Sequence, residues 1–392
     1  MIYTEFQGLK LSRLGFGTMR LPKLADGSID EQKTAEMVDY ALAHGVNYFD
    51  TAYPYHEGMS EVVIGRLLAK HPRESFYLAT KYPGHQTAAR YDPAEIFEEQ
   101  LKKCGVEYFD FYLLHNVCES SIDVYEDPRW GIIDYFVEQK RLGRIRHLGF
   151  SSHGQPDNLR YFLDKYGAHM EFCQIQLNYL DWTLQDARQK YELLTARGIP
   201  IWVMEPLRGG KLAALPETAQ AKLRALDPTL NDCEWAFRWL QELPNVAVVL
   251  SGMSAPEQMR QNIESLAAAH TLTAEQHTAL EQVAALLKDA LPCTACRYCC
   301  DGCPAGLDIP MLLHTYNDLR YQPSFTVTMR LEQLPPEQLP SACLGCGACK
   351  QICPQKIDIP AALADLNERW SKMTKWADVC REREAIARQN RK

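Results

Sequence analysis

Between Asp50 and His115 the sequence carries the side chains that a proton-transfer site needs, and each stands where an apolar run breaks off. Phe49-Asp50-Thr51-Ala52-Tyr53-Pro54-Tyr55 sets a carboxylate and two phenols close together at the end of one run. Tyr77-Leu78-Ala79-Thr80-Lys81 ends a second run in an ammonium, and Tyr112-Leu113-Leu114-His115 ends a third in an imidazole. A phenol, with an ordinary pKa of ~10, is a poor acid until a neighbouring cation stabilises its phenolate. Lys81 has that charge, and Asp50 is a counter-ion for a buried lysine. A lone lysine or histidine at a strand end is an ordinary solvated terminus, but polar endings on three consecutive runs point to a site.

A second chemical signal lies near the other end of the chain. Of 14 cysteines, Cys104, Cys118, Cys173, Cys233 and Cys380 are scattered, whereas nine fall between Cys293 and Cys353. They form two copies of one run, Cys293-x2-Cys296-x2-Cys299-x3-Cys303-Pro304 and Cys343-x2-Cys346-x2-Cys349-x3-Cys353-Pro354. In a reducing compartment such clustering points to metal rather than disulfides. A zinc site pairs two C-x2-C knuckles around one ion and leaves the third cysteine and the Cys-Pro unexplained. The runs resemble those of bacterial ferredoxins, in which the fourth cysteine serves the other cluster. That resemblance implies one [4Fe-4S] cluster on Cys293, Cys296, Cys299 and Cys353, and a second on Cys343, Cys346, Cys349 and Cys303. Cys300 falls outside the repeat and is expected to be a packed thiol.

The elements that must position these groups follow from periodicity. Apolar runs at 14–19, 48–52, 76–82, 109–115, 145–151, 172–177, 201–205 and 246–251 alternate with amphipathic helical patterns such as 60–70, 93–105 and 132–144. Asp30 opens an earlier helix that brings Ala35, Val38, Ala41 and Leu42 to one side and stops at Gly45. Eight strands in strict alternation with helices predict a (β/α)8 TIM barrel, with chemistry at the C-terminal strand ends. An open doubly wound sheet is the alternative. Gly15-Phe16-Gly17-Thr18-Met19-Arg20 lacks the third glycine of the dinucleotide fingerprint that would favour it. Residues 1–12 are expected to form a hairpin over one end.

The expected domains are a barrel over 1–272, a linking helix over 273–290 and a cluster domain over 291–392. Asp308-Ile309-Pro310 and Asp358-Ile359-Pro360 stand at the same offset from Cys303 and Cys353 and open helices. The second domain is therefore expected to be a small, mainly helical ferredoxin-like unit. The charged stretch 368–392 reads as a solvated helix.

Asp50, Tyr55, Lys81 and His115, with Ser60-Glu61 after the first pair, resemble the tetrad region of the aldo-keto reductase superfamily over about residues 1–290. The two domains together resemble its iron-sulfur-containing branch. The resemblance implies reversible hydride transfer between NADPH or NADH and a small carbonyl or alcohol. Tyr55 would be the proton donor, activated by Lys81 and Asp50, and His115 would orient the carbonyl; Tyr53 is the rival phenol. Nucleotide contacts are implied at Gly17, Thr18 and Met19, at Ser151, Ser152 and Gln174 for the carboxamide, at Leu207 and Gly209 for the pyrophosphate, and at Gly252, Gln258 and Asn262 for the adenosine end. Met204 stands where the family stacks an aromatic on the nicotinamide. Gln258 stands where NADPH-specific members carry a cation, which leaves NADH at least as well suited, with Arg260 as the substitute cation.

Composition excludes other classes. Lys and Arg number 42 against 50 Asp and Glu, a net charge of −8, which implies no general polyanion-binding surface, so no nucleic-acid partner is expected. No apolar run approaches the ~20 residues of a membrane span and no signal peptide is visible, so a cytoplasmic protein with no membrane partner is expected. A nicotinamide gives two electrons as hydride, whereas a cluster passes one at a time, and no flavin signature joins them. The clusters either accompany the barrel chemistry or exchange electrons with a ferredoxin-like partner. The alternative is an electron-transfer protein that passes electrons between such a partner and a bound substrate or nucleotide without aldo-keto turnover. Substrate loops are expected after the strands, especially over 116–130, where Tyr125 and Trp130 either wall a pocket or merely pack.

Overall fold

The computed structural model describes residues 1–378 other than 87, 89, 120, 185, 288–289, 322–330, 333 and 376–377. The chain divides into two compact units, Met1–Ala285 and Leu286–Lys392. No helix among the described residues is long and apolar enough to cross a membrane.

The first unit opens with a hairpin, β1 (Tyr3–Phe6) and β2 (Leu9–Ser12). Eight parallel strands follow: β3 (Leu14–Gly17), β4 (Tyr48–Asp50), β5 (Tyr77–Tyr82), β6 (Phe109–Leu114), β7 (Ile145–Ser152), β8 (Cys173–Gln176), β9 (Ile201–Met204) and β10 (Val246–Ser251). They close in the order β10-β3-β4-β5-β6-β7-β8-β9, the barrel that the alternation predicts.

A strand shows alternate residues to opposite faces, so one parity fixes what enters the barrel. Tyr48, Ala79, Phe111, Phe172, Trp202 and Val248 fill its lower interior together with Phe6 and Leu11 of the hairpin. Gly15 leaves the room they need, since a Cβ there would lie 2.6 Å from Leu250 and 2.9 Å from Val248. Two residues further along the same parity come Gly17, Asp50, Lys81, Leu113 and Gln174, with His115 just beyond β6. Apolar side chains thus plug the hairpin end, and the next layer sets Asp50, Lys81 and Gln174 beside Leu113 and Leu250.

Helices coat the outside. α1 (Glu31–Ala43) starts at Asp30, whose carboxylate accepts from the Lys33 N–H at 3.0 Å. Its buried face is Thr34, Met37, Val38 and Ala41; Ala35 and Leu42 are only half-buried, so the stripe is rotated from the sequence expectation. α2 (Met59–Leu68) and α3 (Pro93–Cys104) pack closely at Gly65, where a Cβ would run into the Cys104 backbone. A helix over Ala274–Leu287 ends the described part of this unit's sequence pattern.

In the second unit the cysteine runs form two short helices, Tyr298–Asp301 and Ala348–Ile352, each followed by a longer one, Ile309–Tyr321 and Ile359–Ser371. Asp308 and Asp358 start the longer helices by accepting from the Met311 and Ala361 N–H groups. The two copies share a core of Leu307, Ile309, Leu312, Ile357, Ile359 and Leu363. Cys380 and most of the charged C-terminal stretch lie outside the described residues.

Gly65→Ala places a methyl group against backbone that cannot swing aside. It should destabilise the barrel by about 1–3 kcal/mol in chemical denaturation; an unchanged midpoint would show that the helices separate freely.

Candidate functional site

The shared parity of β4, β5 and β6 brings the polar strand ends together. Lys81 Nζ donates to Asp50 Oδ1 at 2.5 Å and to the Thr51 carbonyl at 2.7 Å, and the two charged side chains are 1% and 4% exposed. The same Nζ lies 5.1 Å from the centre of the Tyr55 ring, and that ring meets His115 edge-on at 5.9 Å. Tyr55 is half-buried and the other three are buried. Burial pushes the Lys81 ammonium down in pKa and the Asp50 carboxyl up, while their mutual attraction opposes both shifts. Tyr53 points elsewhere: its hydroxyl donates to Glu99 at 2.9 Å and Lys103 Nζ lies 4.1 Å from its ring centre. Burial and Glu99 push the Tyr53 phenol up to about 12, which makes it a poor acid.

Histidines that the sequence did not single out complete the mouth. The His85 ring is 4.2 Å from that of His115, and the His153 N–H donates to Asn116 Oδ1 at 3.1 Å. Burial, then His85 and Lys81, hold His115 well below the usual histidine range, and burial holds His85 at about 4 and His153 at about 3. All three are neutral at pH 7. Tyr125 is fully buried, and its hydroxyl donates to the carbonyls of His115 at 2.7 Å and Tyr82 at 3.3 Å. It therefore fixes the strand ends instead of walling a pocket. Trp130 packs on Tyr91 with ring centres 5.7 Å apart.

The residues expected to contact nucleotide lie along the ends of β3, β7, β8, β9 and β10. Gln174 is buried and its Oε1 has no hydrogen-bond partner among the described residues. Ser151 Oγ accepts from the Asn116 N–H at 2.8 Å and Ser152 Oγ donates to the Val117 carbonyl at 2.7 Å, so these hydroxyls also tie β7 to the loop after β6. Gly17 and half-buried Met19 flank Thr18, whose hydroxyl donates to the Asp50 carbonyl at 3.0 Å. Beyond β9, Leu207 leads into Gly209, which takes a left-handed φ of 65°. After β10 and Gly252, Asn262 donates to Ser251 Oγ at 2.9 Å and Gln258 Oε1 accepts from the Ser254 N–H at 2.8 Å.

In the second unit, no three His, Cys, Asp or Glu side chains among the described residues gather for a single metal ion. The thiols of the two runs instead ring two spaces. Cys293, Cys296 and Cys299 line one with Cys353, an atom-free space of ≈ 290 Å³. Cys343, Cys346 and Cys349 line the other with Cys303, of ≈ 340 Å³. Three thiols from one run and the fourth from the other make a donor set that fits a [4Fe-4S] cluster.

Residues 13–285 match the aldo/keto reductase family model, and residues 292–357 match that of a 4Fe-4S dicluster domain. The chain belongs to the aldo/keto reductase family. It is 27% identical over 308 residues to the NADH-specific methylglyoxal reductase of Escherichia coli (strain K12), covering 66% of this chain and 90% of that protein. It is 26% identical over 306 residues to the L-galactose dehydrogenase of Arabidopsis thaliana, covering 72% and 92%. The structure of the aldo-keto reductase AKR11C1 from Bacillus halodurans in its holo form superposes with a TM-score of 0.60 at 27% identity, over 72% of this chain and 96% of that one. The protein is thus an aldo/keto reductase family oxidoreductase with an added 4Fe-4S domain.

Behind this family's site the chain builds supports that the sequence marks only weakly. Ser60 Oγ joins the Thr18 and Thr51 hydroxyls at 2.7 and 2.9 Å. Glu61 is fully buried and accepts from Thr80 Oγ1 at 2.6 Å and Gln100 Nε2 at 2.7 Å; Gln100 also donates to the Lys81 carbonyl at 3.0 Å. Asp181 accepts from buried Arg208 at 2.9 Å and from Gln176 and Asn178 at 2.7 Å, which ties the loop after β8 to that after β9. Ser60-Glu61 was visible in the sequence as part of the tetrad pattern and Arg208 as part of the loop resembling the one that wraps the pyrophosphate; Gln100 and Asp181 gave no local signal.

The histidines make the barrel acid-sensitive. Unfolded, they take up protons near pH ~6.5, whereas in the fold His85 does so at about 4 and His153 at about 3. The unfolded chain binds more protons in that interval, so their contribution is intact above pH ~6.5 and is lost as pH falls towards 4. The melting temperature should drop across this window and drop less steeply in His85→Gln. Equal slopes would show that other groups drive the loss.

Proposed function

We propose that the barrel performs reversible hydride transfer between NAD(P)H and a small carbonyl or alcohol, with Tyr55 as the proton donor. The observation that carries this reading is the buried Lys81–Asp50 pair beside the Tyr55 ring. In the reducing direction a carbonyl gains hydride and becomes an alkoxide, which needs a proton at that oxygen. Lys81 stabilises the phenolate left on Tyr55, and Asp50 keeps the ammonium charged in a setting that would otherwise favour the free amine. Each unit by which the phenol is lowered corresponds to about 1.36 kcal/mol of preferential stabilisation of the phenolate. His115, neutral at pH 7, has an N–H to orient the carbonyl without adding a charge.

A bound nicotinamide supplies the hydride. Gln174 Oε1, buried without a donor, suits an amide N–H such as that of a carboxamide. Gln258 is engaged by the Ser254 N–H and Arg260 lies 3.4 Å from Glu257, which favours NADH at least as much as NADPH. The relative named an NADH-specific methylglyoxal reductase is in keeping with a small carbonyl and that nucleotide.

The two thiol-lined spaces support two [4Fe-4S] clusters, one on Cys293, Cys296, Cys299 and Cys353 and one on Cys343, Cys346, Cys349 and Cys303. Such clusters supply one-electron transfer, and a ferredoxin-like protein is the partner class that this chemistry suits.

Tyr55→Phe should lower carbonyl reduction by about 10²–10⁴-fold with NADH affinity retained; near-normal turnover would remove Tyr55 as the acid. Cys353→Ser should halve the iron of anaerobically purified protein, from about eight to about four atoms per chain. Loss confined to the Cys343, Cys346 and Cys349 cluster would refute the crossed ligand sets.

A further inference from the structure

One ion pair ties together three strand ends that border the proposed nucleotide groove. Arg20 closes the 3-10 turn Thr18–Arg20 after β3, Glu205 is the first residue after β9, and β10 lies between those strands in the barrel. The Arg20 stem runs over Gly252 at the end of β10, where a Cβ would meet Arg20 Cβ, Cγ and Cδ at 3.5, 3.6 and 3.7 Å. Its Nη2 then donates to Glu205 Oε1 at 3.0 Å. Glu205 is held in place by its left-handed φ of 57° and by Asn178 Nδ2, which donates to its carbonyl at 2.9 Å. Its side chain is 10% exposed, and the second carboxylate oxygen, Oε2, is buried with no hydrogen-bond partner among the described residues.

A dinucleotide brings the two negative charges of its diphosphate to these strand ends. A carboxylate that is nine-tenths buried is poorly screened by salt and disfavours that ligand, whereas a guanidinium at the same place favours it. In the loop after β9, Arg208 is paired with Asp181 and Lys211 follows it. We propose that Arg20 and Glu205 form a charge-balanced bridge over the dinucleotide groove, in which Arg20 strengthens diphosphate binding and Glu205 holds its strength down. The inference rests on the reading of the barrel as a nicotinamide-dependent site. Its consequence is a nucleotide that exchanges readily, because the carboxylate offsets the cation that would otherwise hold it.

The test is a titration of NADH into the full-length, cluster-loaded protein, followed by fluorescence at low and high salt, with melting temperatures as the check on folding. Glu205→Gln keeps the shape and removes the charge; it should tighten NADH by about fivefold or more. Arg20→Gln should weaken it by about tenfold or more, and the double variant should return to within about threefold of wild type. Arg20→Lys keeps the charge and should also stay within about threefold. High salt should shrink the Arg20→Gln effect, whose cation is 32% exposed, more than the Glu205→Gln effect. Unchanged or weaker binding in a stably folded Glu205→Gln protein overturns the bridge, as does weakening in Arg20→Lys equal to that in Arg20→Gln. If wild type binds neither NADH nor NADPH, the nicotinamide reading itself falls; if it binds and Glu205→Gln changes nothing, the bridge falls alone.

Discussion

An ammonium group buried inside a β-barrel is the constraint around which the first unit is built. Lys81 is 1% exposed, and taking its charge out of water costs several kcal/mol unless it is paired and hydrogen-bonded. The chain meets that cost with Asp50 Oδ1 and the Thr51 carbonyl, both at the end of the neighbouring strand β4. Neither acceptor is left to wander. The Asp50 carbonyl accepts from Thr18, Thr18 and Thr51 both reach Ser60, and Gln100 holds the Lys81 carbonyl from outside while bound to Glu61. Removing one partner from such a buried network costs more than any single bond in it is worth, because the remaining charge is stranded.

The two units answer different physical demands. The barrel positions side chains by strand parity, so that a two-residue step along several strands leads from an apolar plug to the layer that carries Asp50, Lys81 and Gln174. The second unit gathers a leucine- and isoleucine-rich core, part of which lines two thiol-ringed spaces. Its local order comes from a repeated device: a cysteine run, then an aspartate that starts a helix, with Arg297 paired to Asp308 at 3.1 Å in one copy and Lys350 to Asp358 at 2.6 Å in the other.

Where signals were local, the sequence was readable. The alternation of apolar runs and helices indicated a closed barrel because each β–α unit is coded within about thirty residues, and the strand-end positions of Asp50, Lys81 and His115 followed from the same runs. The cysteine spacing was legible because it must match a fixed inorganic geometry. Side chains that converge from distant loops were not. His85 and His153 each look like an ordinary loop histidine until the fold sets them beside His115. For Tyr125 the sequence left a pocket wall and a packed side chain equally open, because nothing in its neighbourhood reveals that its hydroxyl reaches two strand-end carbonyls. Arg20 and Glu205 are 185 positions apart and each is unremarked alone. The face of α1 was misjudged by counting apolar residue types, whereas the buried stripe includes Thr34 and passes beside Ala35 and Leu42.

The central claim is that a buried ammonium makes one phenol acidic enough to act near neutral pH. The direct measurement is an NMR titration of protein labelled with ¹³C at the tyrosine ring carbon bearing the hydroxyl, in wild type and in Lys81→Met. A Tyr55 signal that titrates well below the ordinary tyrosine value of ~10, and returns to that value or above it in Lys81→Met, is the predicted result. A Tyr55 pKa at or above ~10 in wild type, or one indifferent to Lys81, would contradict the account.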